Sequence, residues 1–247
     1  MHSTQHALLS IVEEIRKNLN KGEFSCGAFI DPEKAFDTVN HTILLSKLEH
    51  YGIRDTSLTS IVSYLSNRKQ SVKLNGVNSK YESVSCGVPQ GSILGPLFFI
   101  IYVNDMHTAV KSSIIHHFAD DTNLILSSKN PNQIAKLLNR DLKLIFEWLC
   151  ANRLSLNVSK TEFILFRPPK RNLDKRIVLK LNRTKIYESN KIKYLGIILD
   201  SRLSWRDHIN ELTKKLNRAV GIVYKIRSDC TNKVLLSLYY SLFHSHL

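Results

Sequence analysis

Apolar residues recur along the 247-residue chain with two alternating rhythms. Leu8, Val12, Ile15 and Leu19 stand three or four apart with Glu13, Glu14, Arg16 and Lys17 between them. That spacing predicts an amphipathic helix from Thr4, ended by Lys21-Gly22. The continuous run Phe24–Ile30 predicts a buried strand that stops at Asp31. Helices are predicted through Ile43, Leu44, Leu45 and Leu48, and again through Leu58, Ile61, Val62 and Leu65. Residues 70–74 and 81–85 alternate around Asn75-Gly76, the pattern of a hairpin. After a loop at 87–91, an apolar helix passes through Phe98 and Ile101, and two strands, Ile114–Phe118 and 122–126, flank Asp120-Asp121.

A long helix opens at Asn130-Pro131-Asn132-Gln133. Asn130 can cap it, Pro131 suits its first position, and Gln133 can complete a capping box. Its apolar face is Ile134, Leu138, Ile145 and Leu149. Strands are predicted at Glu162–Phe166, 177–181 and 193–199. Ser204 then caps a helix striped by Ile209, Leu212, Leu216, Val220 and Val223, and a last helix holds Val234, Leu235, Leu238 and Leu242. Strands interleaved with helices, then helices alone, predict an α+β core with a helical appendage.

Charge narrows the partners. Thirty-five Lys and Arg against 21 Asp and Glu leave +14, which favours a polyanion, either nucleic acid or an anionic membrane surface. The longest apolar run, Leu97 to Val103, is far short of the ~20 residues that span a bilayer. Cys26, Cys86, Cys150 and Cys230 are scattered, with no CxxC pair, as expected of reduced thiols in an intracellular protein. The N-terminus has no basic region leading into an apolar stretch, so no secretory signal is expected.

Two carboxylate sites break the apolar pattern: Asp31 at the end of a strand, and Asp120-Asp121 between two strands. Aspartate is depleted within strands. Two unit charges ~4 Å apart repel by about 4 kcal/mol at an effective dielectric of 20. A hard divalent cation with oxygen ligands would offset that repulsion. Taken alone, Asp120-Asp121 reads equally well as an ordinary turn. Between the two sites, the stretch from Gly87 to Pro96 packs three glycines and two prolines ahead of an apolar helix, a rigid loop that exposes its backbone.

Four ordered segments carry a resemblance: Phe29-Ile30-Asp31-Pro32-Glu33-Lys34-Ala35-Phe36-Asp37-Thr38-Val39, the stretch from Gly87 to Pro96, Phe118-Ala119-Asp120-Asp121, and Lys193-Tyr194-Leu195-Gly196. Together they resemble the reverse transcriptases of non-LTR retrotransposons, of the long-interspersed-element, jockey-like type. The resemblance implies a right-hand polymerase palm, an antiparallel sheet backed by helices, with partial fingers and a helical, truncated thumb. On it, residues 1–22 are a fingers remnant and 23–200 the palm, with an inserted fingers segment near 51–84 and a primer-grip hairpin. Residues 201–247 are then a partial thumb. With thirty residues before Asp31, most of the fingers is expected to be missing, as is any endonuclease domain.

The same resemblance implies an RNA-directed DNA polymerase acting on an RNA template, a DNA primer and deoxynucleoside triphosphates, with two Mg²⁺ ions and no membrane. Asp31, Asp120 and Asp121 correspond to the metal-binding palm aspartates, and Pro32 would add only its backbone carbonyl. Phe36 corresponds to the aromatic floor under the incoming sugar, which excludes a 2′-hydroxyl. Pro89, Gln90 and Gly91 would lie against the nascent pair and the template. Lys160 corresponds to the lysine that protonates leaving pyrophosphate, and Tyr194, Leu195 and Gly196 to the primer grip. Asp37 is read as structural, as are His116 and His117, which alternate across a strand. Alternatives stay open: a catalytically inactive nucleic-acid-binding remnant, or a polymerase of another lineage, against which bulky Phe36 and the Phe118-Ala119 pair argue. The stretch 167–193 has ten Lys and Arg against Asp174 and Glu188. It predicts a basic hairpin face with Lys170, Arg171, Lys175 and Arg176 on phosphates.

Overall fold

The computed structural model describes residues 3–168, 171 and 176–246. It divides into two compact units, 1–189 and 190–247, and each is described by itself.

The first unit opens with α1 (Thr4–Asn20), whose first turn is capped by the Ser3 hydroxyl accepting from the His6 amide. Gly22, at φ 74°, turns the chain into β1 (Phe24–Ile30). Then come α2 (His41–His50), α3 (Asp55–Leu65), and four two-residue strands: β2 (Lys69–Gln70), β3 (Lys73–Leu74), β4 (Val77–Asn78) and β5 (Glu82–Ser83). These pair as β2–β5 and β3–β4 around Asn75-Gly76, both at positive φ, so the expected hairpin forms with an interrupted ladder and no buried face. Next are α4 (Leu94–Val103), a 3-10 turn at Asn104–Ala109, β6 (Ile114–Phe118), β7 (Asp121–Ser128) and α5 (Pro131–Ala151). The unit closes with β8 (Glu162–Phe166), β9 (Leu179–Leu181) and β10 (Thr184–Glu188).

One six-stranded sheet, in the order β6-β7-β1-β8-β10-β9, organises this unit. Its pairs are antiparallel except β8 with β10. Register sets Cys26 opposite Leu126 and Leu165, and Ala28 opposite Leu124 and Phe163, so these side chains share a face. On that side the core collects Ile134, Leu138, Leu142, Ile145 and Leu149 of α5, with Leu44 and Leu48 of α2 and Phe98, Phe99 and Tyr102 of α4. Each fully buried large apolar side chain contributes roughly 1.5–3 kcal/mol. α1 packs against β1, β6 and β7.

Local contacts depart from the sequence reading in instructive places. Asn130 caps α5 through the Asn132 amide, but Gln133 accepts from the Ser128 hydroxyl at 3.0 Å instead of closing a capping box. The strand expected over 177–181 forms only at its second half, and β10 follows it after a turn at Asn182-Arg183, both at positive φ. His116 meets Glu14 at 3.1 Å and His117 meets Thr122 at 3.0 Å, so both histidines have structural partners. All four cysteines are free thiols. In the basic stretch, Arg167 pairs with Glu188 at 2.8 Å, while Lys170, Asp174 and Lys175 lie outside the described residues. No helix among the described residues is long and apolar enough to cross a membrane.

The second unit holds β11 (Lys191–Tyr194), β12 (Ile197–Asp200), α6 (Arg206–Ile226) and α7 (Asn232–Leu242). The strand that periodicity predicts over 193–199 is split into a hairpin, as the resemblance implies for Tyr194-Leu195-Gly196, turned at Leu195 and Gly196, both at positive φ. Ser204 does not cap α6. Asp200 gathers the amides of Arg202, Ser204 and Trp205 and the Ser204 hydroxyl, and Trp205 occupies the N-cap position. Of the expected stripe on α6, Ile209 and Val220 are exposed, and the buried position is Ala219.

Asp141 is the buried polar anchor of the first unit. Fully buried on α5, it accepts from the amides of Ser112 at 2.8 Å and Ser113 at 2.7 Å, and from the Ser113 hydroxyl at 2.8 Å. Burial alone would raise its pKa, but these donors outweigh it and hold the carboxyl below its ordinary range. Burial, helped by His107 and His116, pushes His117 down to about 4. Stability should therefore fall in two stages on acidification. Between about pH 6.5 and 4 the unfolded chain protonates His117 while the folded one resists. Below that, the Asp141 contribution is lost as pH falls through its lowered folded pKa. Urea unfolding across this range should show His117→Asn flattening the first stage, and Asp141→Asn costing about 2–3 kcal/mol at pH 7. An Asp141→Asn variant as stable as the parent would contradict this account.

Candidate active site

β1 and β7 pair through Ile30↔Thr122, so Asp31 leaves the sheet one step beyond, beside Asp121 at the start of β7. β6 and β7 are joined through Phe118↔Asp121, leaving Ala119 and Asp120 as a two-residue turn. Ala119 sits at φ 53°, in the left-handed region, which costs a non-glycine residue roughly 1 kcal/mol. That turn projects Asp120 from the sheet's end, where Asp120 and Asp31 line one cavity of about 620 Å³.

The rest of the cavity wall is built by neighbouring loops. Asp31 is pinned because its carbonyl accepts the Asn157 amide at 3.0 Å, and buried Pro32 bridges to Leu156. The next residue, Glu33, donates its amide to Ser155 at 2.8 Å. This seam brings Lys160 Nζ to 3.6 Å from Asp31 Oδ2 across a largely exposed approach. Phe36 is half-buried and stacked on Phe99 at 4.5 Å, which fixes its ring at the cavity wall. Gln90, Gly91 and Pro96 close the other side.

The loop at 87–91 is held against the segment after β1 by several bonds. The Gly87 amide donates to Val39 and the Val88 amide to Phe36, both at 2.8 Å, and His41 Nε2 meets the Gly87 carbonyl at 2.7 Å. Gly87 is at φ 86°, and a Cβ there would come within 2.9 Å of the Asp37 backbone, so no side chain fits. Gln90 Nε2 donates to Asp37 Oδ1 at 3.0 Å. Pro89 faces a neighbouring cavity of about 690 Å³, lined also by Arg68, Lys69 and Cys86, and its carbonyl accepts from the Ser92 hydroxyl.

Electrostatics mark the centre. Desolvation, then the charges of Asp120 and Asp31, push the Asp121 carboxyl above its ordinary range. Three carboxylates with hard oxygen donors, one of them 3.6 Å from Lys160, suit a divalent cation by donor chemistry. Among the described residues no three His, Cys, Asp or Glu side chains are drawn into a ready ligand cluster.

The sequence-derived candidates thus sort into three sets. Asp31, Pro32, Phe36, Gln90, Gly91, Asp120 and Lys160 share one cavity, with Asp121 within electrostatic reach. Pro89 lines the cavity next door. Tyr194, Leu195 and Gly196 form the β11–β12 turn of the second unit, with Tyr194 buried. Asn157 was not singled out from the sequence, although it lines the cavity and holds the Asp31 carbonyl. Its signal was an asparagine three residues ahead of Lys160 in a polar loop.

Solved structures share this fold. Apo telomerase from Candida tropicalis, truncated from its C-terminal domain, superposes with a TM-score of 0.54 at 16% identity, over 81% of this chain and 38% of that one. Candida albicans telomerase in complex with a fragment of telomeric RNA gives 0.55 at 16%, over 81% and 34%. The class is the right-hand polymerase fold. Within it, the chain belongs to the reverse transcriptase (RNA-dependent DNA polymerase) family, whose model matches residues 1–199. It is 28% identical over 92% of its length to the probable RNA-directed DNA polymerase from transposon X-element of Drosophila melanogaster. It is 30% identical over 85% to the RNA-directed DNA polymerase from mobile element jockey of Drosophila funebris. The chain spans 25% and 23% of those two relatives.

The carboxylate repulsion gives a direct test. Without divalent cation, Asp121→Asn should be more stable than the parent, by at most about 1 kcal/mol because the group is partly exposed. Millimolar Mg²⁺ or Mn²⁺ should raise the parent's melting temperature and leave the variant's nearly unchanged. Equal cation shifts in both proteins would show that Asp121 does not belong to a cation site.

Proposed function

We propose that the chain carries the palm active site of an RNA-directed DNA polymerase. It would join a deoxynucleoside triphosphate to the 3′-hydroxyl of a DNA primer paired with an RNA template. The observation behind this reading is the meeting of Asp31 and Asp120 in one cavity with Phe36, Gln90 and Lys160, with Asp121 in electrostatic reach.

Asp31, Asp120, Asp121 and the Pro32 carbonyl are the groups that would hold magnesium; bound there, two ions would activate the primer hydroxyl and neutralise the triphosphate. Phe36, braced by Phe99, would present a flat ring to the incoming sugar and exclude a 2′-hydroxyl. Gln90 and Gly91 offer an amide and bare backbone to the nascent pair, with Pro89 shaping the loop. Lys160, mobile enough on its exposed stem to leave Asp31, donates a proton to departing pyrophosphate. The β11–β12 turn, Tyr194-Leu195-Gly196, would grip the primer end. Residues 1–22 and about 51–84 would serve as fingers, the rest of 23–200 as palm, and 201–247 as thumb. The net charge of +14 suits a nucleic-acid partner.

Primer extension on an RNA template with Mg²⁺ tests the reading. The parent should extend, and Asp120→Ala should reduce the rate by at least roughly 1,000-fold. Phe36→Val should raise ribonucleotide use relative to deoxynucleotide by roughly 10- to 100-fold. A parent that binds template–primer in a salt-dependent way and never extends it would be the inactive remnant instead.

A further inference from the structure

Asp37 has no part in the roles assigned above, yet it holds a residue that does. It follows Phe36 and lines only the neighbouring cavity, whereas Gln90 lines both. Gln90 is exposed, and among the described residues its side chain is held by the bond from Nε2 to Asp37 Oδ1 at 3.0 Å. A free glutamine samples many rotamers and loses on the order of 1–2 kcal/mol of entropy when a ligand fixes it. A bond to a carboxylate is about twice as strong as one between neutral groups, so it can fix the rotamer in advance.

The carboxylate also decides which way the amide faces. An ionised aspartate only accepts hydrogen bonds, so Gln90 must turn its NH₂ toward Asp37 and its carbonyl Oε1 away. Among the described residues no hydrogen bond to Oε1 is formed, and Gln90 also lines the active-site cavity. Resting on the polymerase reading, we propose that Asp37 is a positioning residue for nucleotide selection. It locks Gln90 so that a single acceptor, Oε1, faces the nucleoside triphosphate beside Asp31 and Asp120. Backbone packing does not depend on the Asp37 side chain, because Gly87 approaches the Asp37 main chain.

The test compares the full-length chain with Asp37→Ala, Asp37→Asn, Gln90→Ala and the double variant Asp37→Ala/Gln90→Ala. Measurements are KM and kcat for a deoxynucleoside triphosphate in primer extension, and direct binding of the same nucleotide with Mg²⁺. Asp37→Ala should raise KM and the dissociation constant about 10-fold, with kcat within about 2-fold and the melting temperature unchanged. Asp37→Asn should lie between, about 3-fold, because an amide can meet Gln90 in either orientation. The double variant should be no worse than Gln90→Ala alone. Parental KM in Asp37→Ala, or effects that multiply in the double variant, would overturn the proposal while leaving the polymerase reading intact. A parent that neither binds nor incorporates the nucleotide would overturn both.

Discussion

The architecture depends on the register between β1 and β7. That ladder runs from Phe24↔Ser128 to Ile30↔Thr122, and its end sets Asp31 beside the Ala119-Asp120 turn. A slip of one residue would turn Cys26 and Ala28 out of the core and carry Asp31 to the opposite face. The register is held by burial, since Cys26, Ala28 and Leu124 are fully enclosed under α5 and its neighbours. The apolar core and the acidic site are therefore specified by the same pairings.

What burial stabilises, charge opposes. Three aspartates gather at one end of the sheet in a chain that is otherwise strongly basic, and Asp121 is pushed toward its neutral form. Ala119 adds backbone strain at the same turn. Local cost concentrated at one place, with a well-satisfied structure around it, is the usual mark of a functional site. The contrast with Asp141 is informative: it is more deeply buried than Asp121, yet four hydrogen bonds from two serines and Lys111 hold it charged.

Periodicity made the long elements legible. The spacing of α1 and α5 and the apolar run of β1 are each governed by local burial, and the structure follows them within a residue or two. The departures occur where a distant partner decides. Gln133 turns to Ser128, β10 exists because it can add to the edge of β8, and Asp200 rather than Ser204 organises the start of α6. In the site, the family resemblance pointed to Asp31, Asp120, Phe36 and Gln90, which share a cavity. It did not reveal Asn157 or the Asp37–Gln90 bond, because a hydrogen bond between segments 126 or 53 residues apart leaves no periodic trace.

The order of strands across the sheet has a consequence for biosynthesis. β1 is made before both of its neighbours, β7 and β8, which emerge from the ribosome about 100 and about 140 residues after it. Until then its edges are bare and the residues destined for the cleft are strangers to one another. A nascent chain interrupted before Asp121 would carry an apolar strand with neither neighbour to pair with, a ready substrate for holding chaperones and for quality-control proteases.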